Sequence, residues 1–296
     1  MSGRGISKLG LPPMQYRVDI HLSDFETLKD AQEEDDFRSE DLDETTEDIF
    51  DGDPPYDEAM SSYLWGAAQG DEVRATLASA TYMRELRINI SGAIWRLIEE
   101  SEGSKVAAFT IIPPAWEYSE DIIFDSDNIR GEVLLKNLRF TLDSLGAAQA
   151  KGWIIAFIHG EHEPVSGVFR LHVHGFACGE MIDVVDRLRQ TSTYKASRWK
   201  SDGALNPVYR RVHITRKPLT DLPRAVTYAL QSYWPARALL ISEDGKRIRA
   251  RRKTRIKEPY HSYALAYLHL HRIEDLTLMM GLRVTKGGLT QTKPVS

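Results

Sequence analysis

Apolar and polar positions along the chain fall into short blocks, and each block has the period of a strand or a helix. Residues 105–112 (KVAAFTII) are rich in β-branched and apolar residues and end at Pro113-Pro114, which predicts a strand. Residues 128–150 repeat their apolar positions at helical spacing and predict a long amphipathic helix. Two apolar runs at 153–159 and 168–176, with a polar loop between them, predict a β-hairpin.

The pattern continues toward the C-terminus with a helix at 179–190, a strand at 209–215 and a helix at 221–234. This order predicts an α+β fold with a central antiparallel sheet and helices packed on one face. We expect helical additions at both ends, at 71–100 and as an amphipathic helix at 260–280.

Three regions follow from this pattern. Residues 1–60 are predicted to be an acidic, mostly disordered tail, and residues 61–240 a domain whose core spans 105–235. Residues 241–296 hold a basic segment and the C-terminal helix. The single cysteine excludes an intrachain disulfide, and no apolar run approaches the ~18 residues of a membrane span. Because the N-terminus also lacks an apolar secretory segment, we expect a cytoplasmic protein.

Charge is segregated along the chain, although the net charge is only −5. Residues 24–58 hold 17 acidic and two basic residues, whereas residues 59–296 hold 33 basic and 25 acidic residues. The acidic block is either a solvated tail or a polyanion mimic that competes with nucleic acid for the basic body. Residues 246–257, with eight basic residues in twelve, are either a DNA-backbone contact or a charged linker. The candidate DNA-binding residues are Arg170, Arg224, Gln231, Arg247, Arg251, Arg252 and Lys253.

A candidate metal site lies in the hairpin. His172 and His174 are two residues apart on a strand, so both point to one face, about 7 Å apart along the chain. The neighbouring strand offers Glu161 or His159 as a third ligand; Glu161 ranks slightly higher, and both stay open. Two imidazoles and a carboxylate suit Mn²⁺, Mg²⁺, Zn²⁺ or Co²⁺, and Mn²⁺ or Mg²⁺ is the expected cofactor. The similar pair at 269–271 has helical surroundings, where such neighbours diverge by about 200° and share no ion.

The candidate nucleophile is Tyr228. The predicted helix at 221–234 has an apolar stripe that includes Tyr233, which is therefore expected to pack. Tyr228 lies roughly 130° from the centre of that stripe and is expected to stay accessible.

These motifs together resemble the HUH endonuclease superfamily, over residues 105–235. The strand at 106–112 resembles the family's first motif, the run RLHVHGF at 170–176 resembles its His-hydrophobic-His motif, and AVTYALQSYW at 225–234 resembles the tyrosine motif of rolling-circle replication initiators. The chain departs from the tyrosine motif at Gln231, where a lysine is common.

The resemblance implies an HUH/RRM-like sheet and a metal-dependent enzyme that nicks and joins single-stranded DNA site-specifically. Tyr228 would form a 5′-phosphotyrosyl intermediate beside an ion held by His172, His174 and Glu161 or His159. Rolling-circle replication initiation is the expected role. Because the chain has no P-loop pattern, a host helicase is an expected partner.

Three alternatives remain open. The chain could be a transposase or relaxase of the same superfamily, or a non-catalytic DNA-binding protein. It could also be a two-histidine phosphoesterase that uses His213-Ile214-Thr215.

Overall fold

The computed structural model describes residues 26–49, 59–71, 75–101, 103–120, 122–123, 129–196, 210–215, 219, 222–231, 233–241, 243 and 247–292. The helices described are α1 (Leu28–Ile49), α2 (Ala59–Gln69), α3 (Ala80–Glu100), α4 (Gly131–Ser144), α5 (Met181–Arg187), α6 (Leu222–Ala229) and α7 (Tyr260–Leu270), with short 3-10 segments at Leu188–Gln190 and Ile273–Leu276. None of these helices is long and apolar enough to cross a membrane.

The strands described are β1 (Val106–Ile111), β2 (Glu117–Ser119), β3 (Gly152–Glu163), β4 (Val168–Gly179), β5 (Val212–Ile214), β6 (Pro235–Ala236), β7 (Leu239–Ile241), β8 (Arg247–Arg249), β9 (Thr254–Arg255), β10 (Thr277–Met280), β11 (Leu282–Thr285) and β12 (Gly288–Gln291). Eight of them form one sheet in the order β5-β1-β4-β3-β6-β9, with β10 also paired to β3 and β2 to β4. The sheet is mixed because β6 runs parallel to β3 while the other pairs are antiparallel.

The α+β class and the central hairpin are confirmed. β3 and β4 pair over their full lengths, from Gly152 opposite Gly179 to Glu163 opposite Val168. The predicted strand at 105–112 is β1, and β5 occupies residues 212–214 of the predicted strand at 209–215. The two strands pair antiparallel. The predicted helix at 128–150 is α4, shorter at both ends.

The prediction that helices cover only one face of the sheet is wrong. Every residue of β3 is buried, and successive side chains of a strand point to opposite faces. On one face, Trp153 of β3 donates its Nε1–H to Ser101 Oγ, just past the end of α3 (3.2 Å). On the opposite face, the ring of Tyr260 in α7 stacks on His162 of β3. Helices therefore cover both faces, and polar groups on this sheet are desolvated.

The prediction of a mostly disordered tail at 1–60 is wrong for residues 28–49, which form α1. This helix buries Leu42 completely, and Asp35 and Arg38 almost completely. Asp35 accepts hydrogen bonds from Ser79 Oγ and from the backbone N–H groups of Ala80 and Thr81, at the start of α3. Residues 1–25 lie outside the described residues. The strongly acidic composition of this segment led us to predict disorder. An acidic helix can still pack against the protein when its buried polar groups have hydrogen-bond partners, as Asp35 has here.

The predicted helix at 260–280 ends at Leu270, which is a further correction. Residues 277–280 instead form β10 and pair with β3, from Thr277 opposite Phe157 to Met280 opposite Ile154. A short apolar run fits either period, and here the open edge of β3 supplies hydrogen-bond partners that a helix would not use.

Candidate metal centre

Three histidines meet at the centre of the hairpin. The register of β3 and β4 places His159 directly opposite His172, and His174 follows two residues later on the same face. Their ligand atoms all lie within 4.8 Å of one another, and the three side chains are buried. The arrangement could hold a metal ion.

The hydrogen bonds of the rings direct their Nε2 atoms toward a common point. His172 Nδ1 lies 3.2 Å from the Arg170 carbonyl oxygen, an acceptor, so this nitrogen carries the proton. His174 Nδ1 lies 2.8 Å from Thr110 Oγ1 of β1. His172 Nε2 is then unprotonated and lies 3.0 Å from His174 Nε2. Because the Thr110 hydroxyl can donate or accept, His174 Nε2 either donates a hydrogen bond to His172 Nε2 or, when unprotonated, offers a second lone pair to an ion shared with His172. Nitrogen ligands around a tetrahedral zinc ion would be about 3.3 Å apart, so the residues present fit an ion.

The pKa values of the three histidines favour the metal-binding, neutral form. Burial, together with the charges of neighbouring histidines, lowers the pKa of His159 and His172 well below the usual value. Burial, His172 and Lys253 lower the pKa of His174 to about 2. Gln231 and the Tyr233 backbone lie close enough to His159 to raise its pKa, but burial dominates.

Glu161, which ranked slightly above His159 as the third ligand, is not part of the cluster. Its position on β3 is opposite Arg170, two residue pairs beyond the His159–His172 pair. Its carboxylate forms ion pairs with Arg249 (2.5 Å) and Arg237 (3.8 Å). Glu161 therefore neutralises two arginines, and the structure assembles His159 with His172 and His174.

The other polar residues at the end of β3 have separate structural roles. His162 points to the opposite face and binds Glu120 (2.6 Å). Glu163 is completely buried and accepts hydrogen bonds from the backbone N–H groups of Val165, Ser166 and Leu239. Glu163 thus caps the hairpin turn, and neither residue contributes to the histidine cluster.

Tyr228 of α6 lies over the cluster. Its ring packs edge-on against His174, with centroids 4.9 Å apart, and 48% of the residue remains exposed. Lys253 Nζ lies over the same ring, 5.0 Å from its centroid. Partial burial raises the pKa of Tyr228, Glu161 raises it further, and Arg237 and Arg249 oppose the rise.

Tyr233 was expected to pack, but it is 47% exposed. The helical period does not extend to it, because α6 ends at Ala229 and Pro235 begins β6. Both tyrosines of the segment are therefore accessible, and only Tyr228 has a ring contact with the histidine cluster.

Arg170 adds a buried positive charge beside the cluster. It is only 3% exposed, and its Nε is 3.9 Å from Glu117, which also approaches Arg211 at 3.7 Å. Within the described residues, Arg170 Nε and Nη1 lack hydrogen-bond partners of good geometry. Unsatisfied guanidinium donors next to a cluster that could hold a metal ion suit an anionic ligand.

The remaining candidate DNA-binding residues fall in different places. Gln231 accepts a hydrogen bond from Lys253 Nζ (3.3 Å), so these two lie together beside Tyr228. Arg251 and Arg252 are exposed in the bend between β8 and β9. The side chains of Arg224 and Arg247 lie outside the described residues, as do residues 197–209.

A second group that could hold an ion consists of Asp41, Glu258 and His261. His261 Nδ1 lies 3.0 Å from Glu258 and 3.5 Å from Asp41, and Glu258 also accepts hydrogen bonds from Ser262. These contacts join α1 to the start of α7.

Sequence reasoning missed Arg249, Arg237 and Glu117 as parts of the site. Arg249 stands in the basic segment, but nothing in its sequence surroundings separates it from the seven other basic residues there. Arg237 lies in a mostly apolar run at 234–241 and Glu117 in a mixed run at 113–120, and no periodic pattern distinguishes either residue. Only the pairing of distant strands brings them to the histidines.

No protein-family model matches this chain, and no curated protein or solved structure does so either. The fold and the side chains define its class: an α+β protein whose mixed sheet carries a buried three-histidine cluster that could hold a metal ion.

Proposed function

We propose that this protein is a metal-dependent nuclease that nicks and rejoins single-stranded DNA through Tyr228. The observation that carries the proposal is the contact of the Tyr228 ring with His174, above the cluster of three neutral histidines. A half-exposed tyrosine held on a helix against a cluster that could hold a metal ion supports a mechanism in which this tyrosine attacks a phosphate bound to that ion.

The charge around the cluster supports a phosphate ester as the substrate. The side chains around the cluster include five basic residues and two carboxylates. The basic residues are Arg170, Arg211, Arg237, Arg249 and Lys253, and the carboxylates are Glu117 and Glu161. Since the histidines are neutral, the site has a surplus of positive charge before any ion binds. Such a surplus in a partly desolvated site favours a polyanion.

The three imidazoles also narrow the choice of ion. Nitrogen donors suit zinc and other transition-metal ions, whereas Mg²⁺ prefers oxygen ligands. Because the third ligand is the imidazole of His159 and not the carboxylate of Glu161, we propose Zn²⁺, Co²⁺ or Mn²⁺ as the ion in preference to Mg²⁺. When bound, the ion would supply positive charge that polarises the scissile phosphate.

The chain's own residues supply the nucleophile and its surroundings. The Tyr228 oxygen loses its proton to solvent and forms a bond to phosphorus, while the bond from phosphorus to the 3′-oxygen breaks. The 3′-oxygen takes the electron pair and a proton and leaves as a hydroxyl, so the 5′-phosphate stays on the tyrosine. Arg249 and Lys253 are close enough to neutralise charge on the phosphate, and reversal of the step rejoins the strand.

The resemblance to the HUH superfamily, with its RRM-like sheet, belongs to this proposal. It rests on the motif strands β1 and β4 being neighbours and on α6 lying across the histidine face. Rolling-circle replication initiation is the role we propose, with strand transfer as the alternative, and a host helicase remains a predicted partner.

The experiment is a search for a covalent adduct. The full chain is incubated with Mn²⁺ or Zn²⁺ and a pool of labelled single-stranded oligonucleotides, and the products are separated on a denaturing protein gel. We expect a labelled protein band that disappears with EDTA, with Tyr228→Phe and with His172→Ala.

Tyr233→Phe is the matched control, because this tyrosine is equally exposed but lacks the contact with His174. It should retain the adduct. An adduct that survives Tyr228→Phe and is lost in Tyr233→Phe would assign the nucleophile to Tyr233. DNA binding with no adduct for any sequence would instead support a non-catalytic DNA-binding protein.

A further inference from the structure

A cavity of about 590 Å³ lies beside the candidate nucleophile, and Tyr228 is one of the residues that line it. Its walls come from elements far apart in the sequence: α1, the start of α3, the segment after α6 and the basic segment around Lys253. α1 thus supplies one side of a space whose other side carries the candidate nucleophile. A cavity of this volume is in the range of small-molecule sites.

The walls of the cavity differ in chemistry. Tyr228 and Tyr233, both about half exposed, are aromatic surfaces that line it, and Trp234 lies beside them. Lys253 and Arg255 contribute positive charge. Aromatic faces next to cations are the combination that binds single-stranded nucleotides, by stacking on the base and neutralising the phosphate.

The part of the lining at and just before α1 carries hydrogen-bond acceptors. Glu26 lines the cavity, and its Oε1 is a buried atom without a hydrogen-bond partner among the described residues, while Oε2 pairs with Arg87. Glu34 lines the same wall and is held by Arg255. Carboxylate oxygens accept hydrogen bonds from the exocyclic amino groups of adenine, cytosine and guanine. The one donor of thymine, N3–H, is flanked by two carbonyl oxygens, which a carboxylate repels.

From these observations we infer that the cavity binds a nucleobase with an exocyclic amino group, namely adenine, cytosine or guanine, in preference to thymine. The base would stack on Tyr233 and direct its amino group toward Glu26. The assignment of this base to the nucleotide beside the scissile phosphate rests on the proposed function. The affinity of the cavity for the base is independent of the proposed function.

The test uses the full wild-type chain in EDTA, so that neither an ion nor nicking is involved. The probes are the four deoxynucleoside 5′-monophosphates and 2-deoxyribose 5-phosphate, and binding is followed by saturation-transfer NMR and by quenching of tryptophan fluorescence. We expect the adenine, cytosine or guanine nucleotides to bind about tenfold or more tightly than thymidine monophosphate. The sugar phosphate, which lacks a base, should bind more weakly still.

Two variants locate the binding in this cavity. Tyr233→Ala should weaken binding of the preferred nucleotide about tenfold through loss of stacking, and Glu26→Gln should remove the preference over thymidine monophosphate. Phe140→Ala, an exposed aromatic residue on α4 that does not line the cavity, is the matched control and should change nothing.

Equal binding of all five probes would overturn the inference and indicate a phosphate site only. Wild-type binding by Tyr233→Ala would also overturn it, because the base would then bind away from Tyr233. The outcome is independent of the adduct experiment. A base-selective cavity without any adduct would retain this inference and refute the nuclease, and an adduct without base selectivity would do the reverse.

Discussion

At the scale of single residues, the two histidines of β4 are held differently from the histidine of β3. The Nδ1 atoms of His172 and His174 have oxygen neighbours that fix the ring orientation, whereas His159 has no partner of good geometry for either nitrogen among the described residues. A buried imidazole with two unsatisfied nitrogens is costly. An ion at the cluster would satisfy one of them.

We therefore predict that His159 contributes to ion binding and that Glu161 does not. His159→Ala should weaken binding of Zn²⁺ or Mn²⁺ at least tenfold, as measured by isothermal titration calorimetry. Glu161→Gln, which keeps the size of the side chain, should bind the ion within a few-fold of wild type. Loss of ion binding in Glu161→Gln with retention in His159→Ala would contradict the assignment.

The lowered pKa values predict a pH dependence of stability for the ion-free protein. Below the ordinary histidine pKa of 6.5, the unfolded chain takes up protons that the folded cluster excludes, because burial lowers the pKa of His174 to about 2 and that of His159 and His172 well below 6.5. Stability is therefore lost as pH falls from 6.5, by up to about 1.4 kcal/mol per pH unit for each such histidine.

Urea unfolding in EDTA between pH 7 and pH 5 measures this effect before most carboxylates titrate. A variant with glutamine at all three positions (His159→Gln, His172→Gln and His174→Gln) should show a much smaller slope over the same range. Equal slopes for the two proteins would show that the cluster is not neutral in the folded state. Saturating Zn²⁺ should raise the stability of the wild type alone.

At the scale of elements, β3 and the segment after α6 are joined by a close contact. A Cβ on Gly160 would lie 2.2 Å from the ring of Trp234, so only glycine fits at this position. The contact fixes the chain between α6, which carries Tyr228, and β6. It couples the position of the candidate nucleophile to the strand that carries His159.

Gly160→Ala should destabilise the protein by about 1–3 kcal/mol, because the added methyl group forces the indole out of its place. The measurement is a shift of the urea midpoint with an unchanged slope. Gly287→Ala is the control, since a Cβ there meets only Thr285 Oγ1 at 3.7 Å. A midpoint for Gly160→Ala equal to that of the control would show that the Trp234 contact is not rigid.

A second element-scale prediction concerns α1, whose Asp35 accepts three hydrogen bonds at the start of α3. A carboxylate at this position satisfies N–H groups that the helix itself leaves unpaired. Asp35→Ala should therefore cost about 2 kcal/mol or more of unfolding free energy. Glu40→Gln on the exposed part of α1 should cost less than about 0.5 kcal/mol. Equal effects of the two changes would mean that α1 does not support α3.

How far the sequence determined this site is clearest in the hairpin. The alternation of side chains along a strand was enough to place His172 and His174 on one face, because residues two apart in a strand point the same way. The register between β3 and β4 could not be predicted from the sequence, because it depends on a turn at 164–167 that the Glu163 side chain caps. Without the register, His159 and Glu161 were equivalent by parity. The contacts of Arg249 and Glu117 depend on pairing between strands distant in sequence, which no local pattern encodes.

At the scale of the whole molecule, the acidic block and the basic body meet. Glu34 of α1 binds Arg255, and the ring of Phe37 lies under the same guanidinium, 4.2 Å from its carbon. α1 is a folded component that partly neutralises the basic segment, so deleting residues 1–58 would remove the support of α3 as well as the acidic charge. Substitutions in the basic segment test its role without that complication.

Arg251 and Arg252 remain exposed between β8 and β9, beyond the part of the segment that α1 neutralises. If this segment follows a DNA backbone, each contact releases counterions, and the slope of log affinity against log salt reflects the number of contacts. Changing both arginines to alanine should reduce the slope by about 1.4 for single-stranded DNA. The measurement is fluorescence anisotropy with a labelled oligonucleotide over a range of NaCl concentrations.

The control is the double variant Arg283→Ala with Lys286→Ala, which changes an exposed basic pair near the turn of β11 and β12. It should leave the slope unchanged. Equal slopes for both double variants and the wild type would show that DNA does not contact the basic segment. The surplus charge at the histidine cluster would then be the sole electrostatic contribution to DNA binding.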